Sequence, residues 1–236
     1  MTLDMTPTFP PLMRGDETPP GMDPFAKAVA QAALGADPGL VTWSCDEAVM
    51  RAALVLAPEV PLARAMAASF AVALGLGDAI GALAPPEVAV HYVWPRIVKV
   101  NGGDCGQLRA AASTADPAAE PDWLVVGVHV DYLLSDRDEP GRAPEQTCLV
   151  EEGCIEVRPY RLLESWSRHT LVWINRWLDD GFPPLHDAWR ARAWRMGEAL
   201  PGGGLFVGLD ELGGMLVRKG QTTQIRPLTS MLEDLA

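Results

Sequence analysis

Apolar positions recur along this chain in two rhythms, one of helices and one of strands. Asp23-Pro24 followed by FAKAVAQAAL predicts a helix with Asp23 as N-cap and Pro24 at its first position, stopped by Gly35. Leu40–Trp43 reads as a short strand. Residues 52–57 read as a second strand, unbroken in its apolar character and so buried on both faces. Pro58 and Pro61 end it and open a long apolar helix from Leu62 to Leu83. Gly75, Gly77 and Gly81 inside that helix each cost roughly 1 kcal/mol against alanine, which predicts close packing against a sheet. A strand over 88–93 is broken by Trp94-Pro95 and resumes at 97–100. Asn101-Gly102 then predicts a tight hairpin in which Val100 faces Gly103 and Lys99 faces Asp104, with a return strand over 104–112. Residues 123–130 form the next strand and 134–146 a charged loop. Pro159–Asp180 is an amphipathic helix with Leu162, Leu163, Trp166, Thr170, Trp173 and Trp177 on one face, capped by Gly181. Its tryptophan stripe reads as core packing. A short helix over 185–194 follows.

The texture changes at both ends. Residues 1–22 are rich in proline and read as an extended arm. From Met196 onward, four short strands (197–200, 205–209, 215–218 and 222–227) alternate with glycine turns and predict a small SH3-like barrel. The expected architecture is an α/β domain over 23–194, a mixed sheet flanked by helices, with the barrel over 195–236.

Composition narrows the function. The chain has 236 residues, 48% apolar and 21% charged, as in a globular protein. A net charge of −12 argues against nucleic acid and anionic membranes as partners. No apolar window of about 18 residues is free of charges and breakers, so no membrane span is expected. The N-terminal stretch lacks the basic and apolar regions of a secretory signal, and a cytoplasmic location is expected. Cys45, Cys105, Cys148 and Cys154 form no C-x-x-C and match no zinc spacing with the four histidines; they read as reduced thiols, with no metal site. The motifs of serine hydrolases, zinc proteases and P-loop enzymes are missing. Only three lysines occur: Lys27, Lys99 and Lys219.

The element order, together with several local segments, resembles the biotin/lipoate protein ligases. Val93-Trp94-Pro95 is similar to the end of that family's K-W-P-N-D. Val98-Lys99-Val100-Asn101-Gly102 and Cys105-Gly106 are similar to its Y-V-N-G…G hairpin, and Trp123–Tyr132 (WLVVGVHVDY) to its G-I-G-I-N strand. Trp173–Trp177 and Leu205–Asp210 resemble its C-terminal helix and barrel. The likeness spans about 21–232 and is closest to a divergent, uncharacterised subgroup.

The resemblance implies a chemistry: ATP and biotin or lipoate give an acyl-adenylate, which a carrier lysine attacks. Such a site must neutralise phosphate and carboxylate charge. The family does this with a G-R-G-R-x-G-R lid and a hairpin lysine. Here the corresponding link, Ser44–Arg51, is short, acidic and without glycine, and Asp104 stands where the lysine belongs. Arg96-Ile97 replace Asn-Asp, Met22-Asp23-Pro24 replace a ligand-touching S-T-N, and His129 and Asp131 replace Gly and Asn. Lys99 is either a cross-strand partner of Asp104 or a substitute catalytic lysine. Arg96 is either an exposed arginine or an anion holder, and His129 either a hydrogen-bonded structural histidine or a general base. The expectation is a ligase-like protein without lid and lysine, binding a small carboxylic acid or a partner protein, with homodimer formation through a sheet edge open to it. The alternative is an active ligase with a rebuilt site. Trp94, Arg96, Arg109 and His129 are the candidate ligand residues, over an apolar floor of Trp94, Val98, Leu108 and Val128.

Overall fold

The computed structural model describes residues 6–134 and 145–234, so most of the loop expected over 134–146 lies outside the described residues. Seven strands form one mixed sheet: β1 (Arg14–Glu17), β2 (Leu40–Cys45), β3 (Val49–Leu56), β4 (Val90–Val93), β5 (Ile97–Val100), β6 (Gly103–Ala112) and β7 (Leu124–Asp131). Their spatial order is β1-β2-β3-β7-β6-β5-β4. All neighbours are antiparallel except β1 and β2. β1 departs from the extended arm expected over 1–22. Four of those residues join the sheet edge, pairing Arg14 with Leu40 and Glu17 with Trp43.

Side chains alternate across the sheet, and its two faces have different covers. Helix α1 (Pro24–Ala33) lies on one, over Ala53, Val55, Ala111 and Val125. Asp23 caps it as expected, accepting the Phe25 amide. The other face packs beneath α3 (Ala67–Leu83) and α4 (Pro159–Asp180), with Leu54, Leu108, Val126, Val128 and Trp166 in one core. The helix expected over 62–83 is interrupted at Met66, leaving the four-residue α2 (Leu62–Ala65) ahead of α3. By length and composition this segment is apolar enough to cross a membrane, but it is mostly buried inside the fold as a core helix.

The glycines of α3 serve different neighbours than a sheet alone. A methyl group on Gly75 would collide with the backbone of Thr170 in α4, and one on Gly77 with the Tyr92 hydroxyl of β4, whereas Gly81 faces open space. Gly75→Ala is therefore expected to cost about 1–3 kcal/mol through overpacking. At about 2–4 °C per kcal/mol, that lowers the melting temperature by roughly 2–12 °C. Gly81→Ala should be neutral or stabilising by up to about 1 kcal/mol. Thermal unfolding of the two variants checks this, and equal melting temperatures would refute it.

Helix α5 (Pro183–Ala191) leads to a separate three-stranded sheet of β8 (Leu205–Leu209), β9 (Met215–Lys219) and β10 (Thr222–Arg226). The fourth strand expected over 197–200 is reduced to one bridge, Ala199 to Leu205. Phe206, Leu209, Met215 and Val217 join the core under α3. Leu232 then bridges to Ala110, and the Glu233 amide donates to the Ala110 carbonyl at 2.9 Å, laying the tail along β6.

Candidate functional site

The hairpin formed as its local chemistry dictates. Asn101 and Gly102 both adopt positive φ (49° and 96°), Val100 pairs with Gly103 and Lys99 with Asp104. The Lys99 ammonium is buried, 2.5 Å from Asp104 and 3.1 Å from the Gly102 carbonyl, over the Trp194 ring. Its charge is thus already matched. The link between β2 and β3 is a closed turn: Cys45 pairs with Met50, and Asp46 accepts the amides of Ala48 and Val49.

The cavity lies on the α1 face of the sheet. Arg51 of β3, His129 of β7 and Gln107 of β6 stand in one cross-strand row; Ala53, Gly127 and Arg109 stand in the next. Gly127 opens the floor, since a Cβ there would come 2.6 Å from the Phe25 ring. The result is a cavity of about 540 Å³, walled by the segment from Glu17 to Asp23. Three contacts pin that wall to α1: Lys27 pairs with Asp16 at 2.9 Å, Gln31 donates to Asp16, and Lys27 donates to the Glu17 carbonyl. The Lys27 contact holds the Asp16 carboxyl below its ordinary pKa.

Two of the four candidate ligand residues meet here. Arg109 stacks on Phe25 at 4.1 Å; it donates to Asp23 at 2.5 Å and to both carboxylate oxygens of Glu233 at 2.7 Å. Its pKa is raised, chiefly by the Glu233 hydrogen bonds. His129 Nδ1 accepts from Arg51 Nε at 3.3 Å, and its Nε2 lies 2.9 Å from an Asp131 carboxylate oxygen. The other two candidates sit elsewhere. Trp94 is buried and donates to the Gly213 carbonyl, fastening the large sheet to a turn of the small one. Half-buried Arg96 does not line this cavity. Of the expected floor, Trp94, Val98 and Leu108 lie in the core on the opposite face, and only Val128 borders the cavity. Alternation along β6 and β7 turns Leu108 and Val128 toward the α3 side of the sheet.

Arg51, Gln107 and Glu233 escaped the sequence reading. Among the described residues Arg51 has no carboxylate partner, so it is the cavity's unmatched cation. No cluster of His, Cys, Asp and Glu able to hold a metal occurs among the described residues. Cys45 also lines the cavity, but burial, then Asp46 and Glu17, push its thiol up to about 12. Relative to a thiol at its ordinary value of 9.0, its thiolate fraction near pH 8 drops about a thousandfold. The greater nucleophilicity of a high-pKa thiolate offsets only part of that loss, so iodoacetamide should label Cys45 at least about tenfold more slowly than a free cysteine; labelling at the ordinary rate would contradict this.

A mixed seven-stranded sheet flanked by helices, followed by a small C-terminal sheet, is the fold of the biotin protein ligases. The enzyme from Aquifex aeolicus superposes with a TM-score of 0.71 at 15% identity, over 89% of this chain and 92% of that one. The chain belongs to the biotin/lipoate A/B protein ligase family, whose model matches residues 9–191. A biotin protein ligase-like protein of unknown function from Silicibacter sp. TM1040 is 50% identical, with a TM-score of 0.91 over 97% of this chain and all of that one. The biotin–[acetyl-CoA-carboxylase] ligase of Paracoccus denitrificans is 29% identical over 193 residues, 78% of this chain and 80% of that enzyme.

Proposed function

We propose that this member of the family no longer makes acyl-adenylates and instead holds a small carboxylic acid in the cavity under α1. The observation that carries this reading is the charge of the lining. Glu17, Asp23 and Asp46 face only Arg51 and Arg109, and Arg109 is already shared by two carboxylates. A triphosphate, with roughly four negative charges, does not suit such a wall. A single carboxylate suits Arg51. The cavity volume falls within the range of about 300–1,000 Å³ usual for small ligands. In this reading the ligase-like domain spans 23–194, residues 195–236 act as an SH3-like barrel, and the protein works in the cytoplasm.

The runner-up is an active biotin or lipoate ligase with a rebuilt site, using ATP and serving a carrier protein. Its support is the likeness to the Paracoccus ligase over most of both chains.

Thermal shift with biotin, lipoate, octanoate, short acyl acids and ATP tests the acid reading. A ligand at about 100 times its Kd stabilises by about 2.7 kcal/mol, roughly 5–11 °C for a chain of this size. At least one acid should produce that shift, and Arg51→Leu should abolish it. If no acid moves the melting temperature, the cavity is not an acid site and a protein-binding scaffold replaces this reading.

A further inference from the structure

A second cavity of about 500 Å³ adjoins the first on the same face of the sheet. Asp104, Gly106, Asp131 and Gln146 line it. The two share a boundary, since Asp46, Arg51, Gln107 and His129 line both. Three of these four form the cross-strand row already described. Arg51 is tied to His129, and His129 to Asp131, so the row is braced by hydrogen bonds. Gln107 pairs with His129 in the ladder and extends the row onto β6. Three strands at about 4.8 Å spacing give this row a width of roughly 10 Å. The sheet face therefore carries two adjoining cavities with this row of side chains on their shared border.

We infer that the Arg51–His129–Gln107 row is a specificity-determining partition that confines the ligand to one chamber. A compact monocarboxylic acid fits in the chamber holding Gly127 and Arg109. A two-part ligand, an acyl group joined to a nucleotide, needs both chambers at once and meets the imidazole and the carboxamide across its path. Asp131, on the lining of the second chamber, adds repulsion toward a phosphate, whereas Asp104 there is already matched by Lys99. The partition rests on the acid-binding reading for the identity of the compact ligand, but not for the exclusion of the extended one.

The experiment compares octanoate with biotinol-5′-AMP, an uncleavable two-part analogue, by titration calorimetry on the full chain. The proteins are wild type, Gln107→Gly and the double variant His129→Gly/Gln107→Gly. Gln107 is exposed, so Gln107→Gly keeps the test alive if the double variant does not fold. Wild type should bind octanoate and bind the analogue no better. Removing one obstructing group should raise the analogue-to-octanoate affinity ratio by about tenfold or more, the scale on which pockets discriminate by size. Wild type binding the analogue more tightly than octanoate overturns the partition, as does a ratio that stays put in every folded variant. If wild type binds neither ligand while a variant gains the analogue, the acid reading fails and the partition stands. If wild type binds octanoate and the variants gain nothing, the partition fails and the acid reading stands.

Discussion

Supplied with ATP and biotin, lipoate or octanoate, the protein is expected to give no ATP–pyrophosphate exchange above background. Negative charge grows on the phosphates and the attacking carboxylate in the transition state, and losing one preorganised donor typically costs about 10²–10³ in rate. By the family resemblance, several are missing here together. The β2–β3 link, where the family resemblance places its arginine-rich lid, is a closed turn that spends Asp46 on its own amides. Where the resemblance places the family's hairpin lysine stands Asp104, which holds Lys99 at 2.5 Å. The two guanidiniums left on the cavity face three carboxylates. Two lost donors alone predict a rate lower by about 10⁴ or more. Exchange at roughly 1 s⁻¹ or faster, the lower end of ordinary enzyme turnover, would establish the active-ligase reading instead. Lys99→Ala in that active protein would then show whether Lys99 had taken over the catalytic role.

Local chemistry made part of the fold legible. Asn101-Gly102 fixes its own turn and hence the register that sets Lys99 opposite Asp104. The spacing of Leu162, Leu163, Trp166, Thr170, Trp173 and Trp177 marks the packed face of α4; the first four are buried, while Trp173 and Trp177 are half-buried against the core's edge. β1 was hidden because four residues between prolines carry no alternation, and its partner lies 26 positions away. The site was legible strand by strand but not as a whole. Gln107 and Arg109 alternate with Leu108 and Ala110, and His129 and Asp131 with Val128 and Val130, so each strand announces one polar face. Arg51 sits beside the apolar run Ala52–Leu56, which masks it until pairing with β7 sets it against His129. Without the order β3-β7-β6, nothing in the chain says that Arg51, His129 and Gln107 share a row, or that Trp94 and Arg96 lie apart from it.

Arg109→Met should loosen the C-terminal tail and lower the melting temperature by roughly 4–8 °C. Methionine keeps an apolar stem against Phe25 but removes three charge-assisted hydrogen bonds, two to Glu233 and one to Asp23. Such bonds contribute about 1.5–3 kcal/mol each when well buried. Here the arginine side chain is 32% exposed and its partners 39% and 30%, so water replaces much of what is lost and the net cost is about 2 kcal/mol. The melting shift follows from about 2–4 °C per kcal/mol. The raised pKa of Arg109 gives the sign of the pH dependence. A cation stabilised by folding contributes fully below its unfolded pKa and loses that contribution only as pH rises past it, so the gap between wild type and variant should be flat from about pH 6 to 9. It should narrow in 1 M salt, where the screening length is about 3 Å. The tail reports the same contact independently. With Glu233 released, the Leu232 bridge, its packing against the core and the Glu233 amide still hold the segment beside β6, and carboxypeptidase should trim the variant back to that point several-fold faster than wild type. Unchanged melting together with unchanged trimming would mean that the tail is held without the Arg109–Glu233 pair.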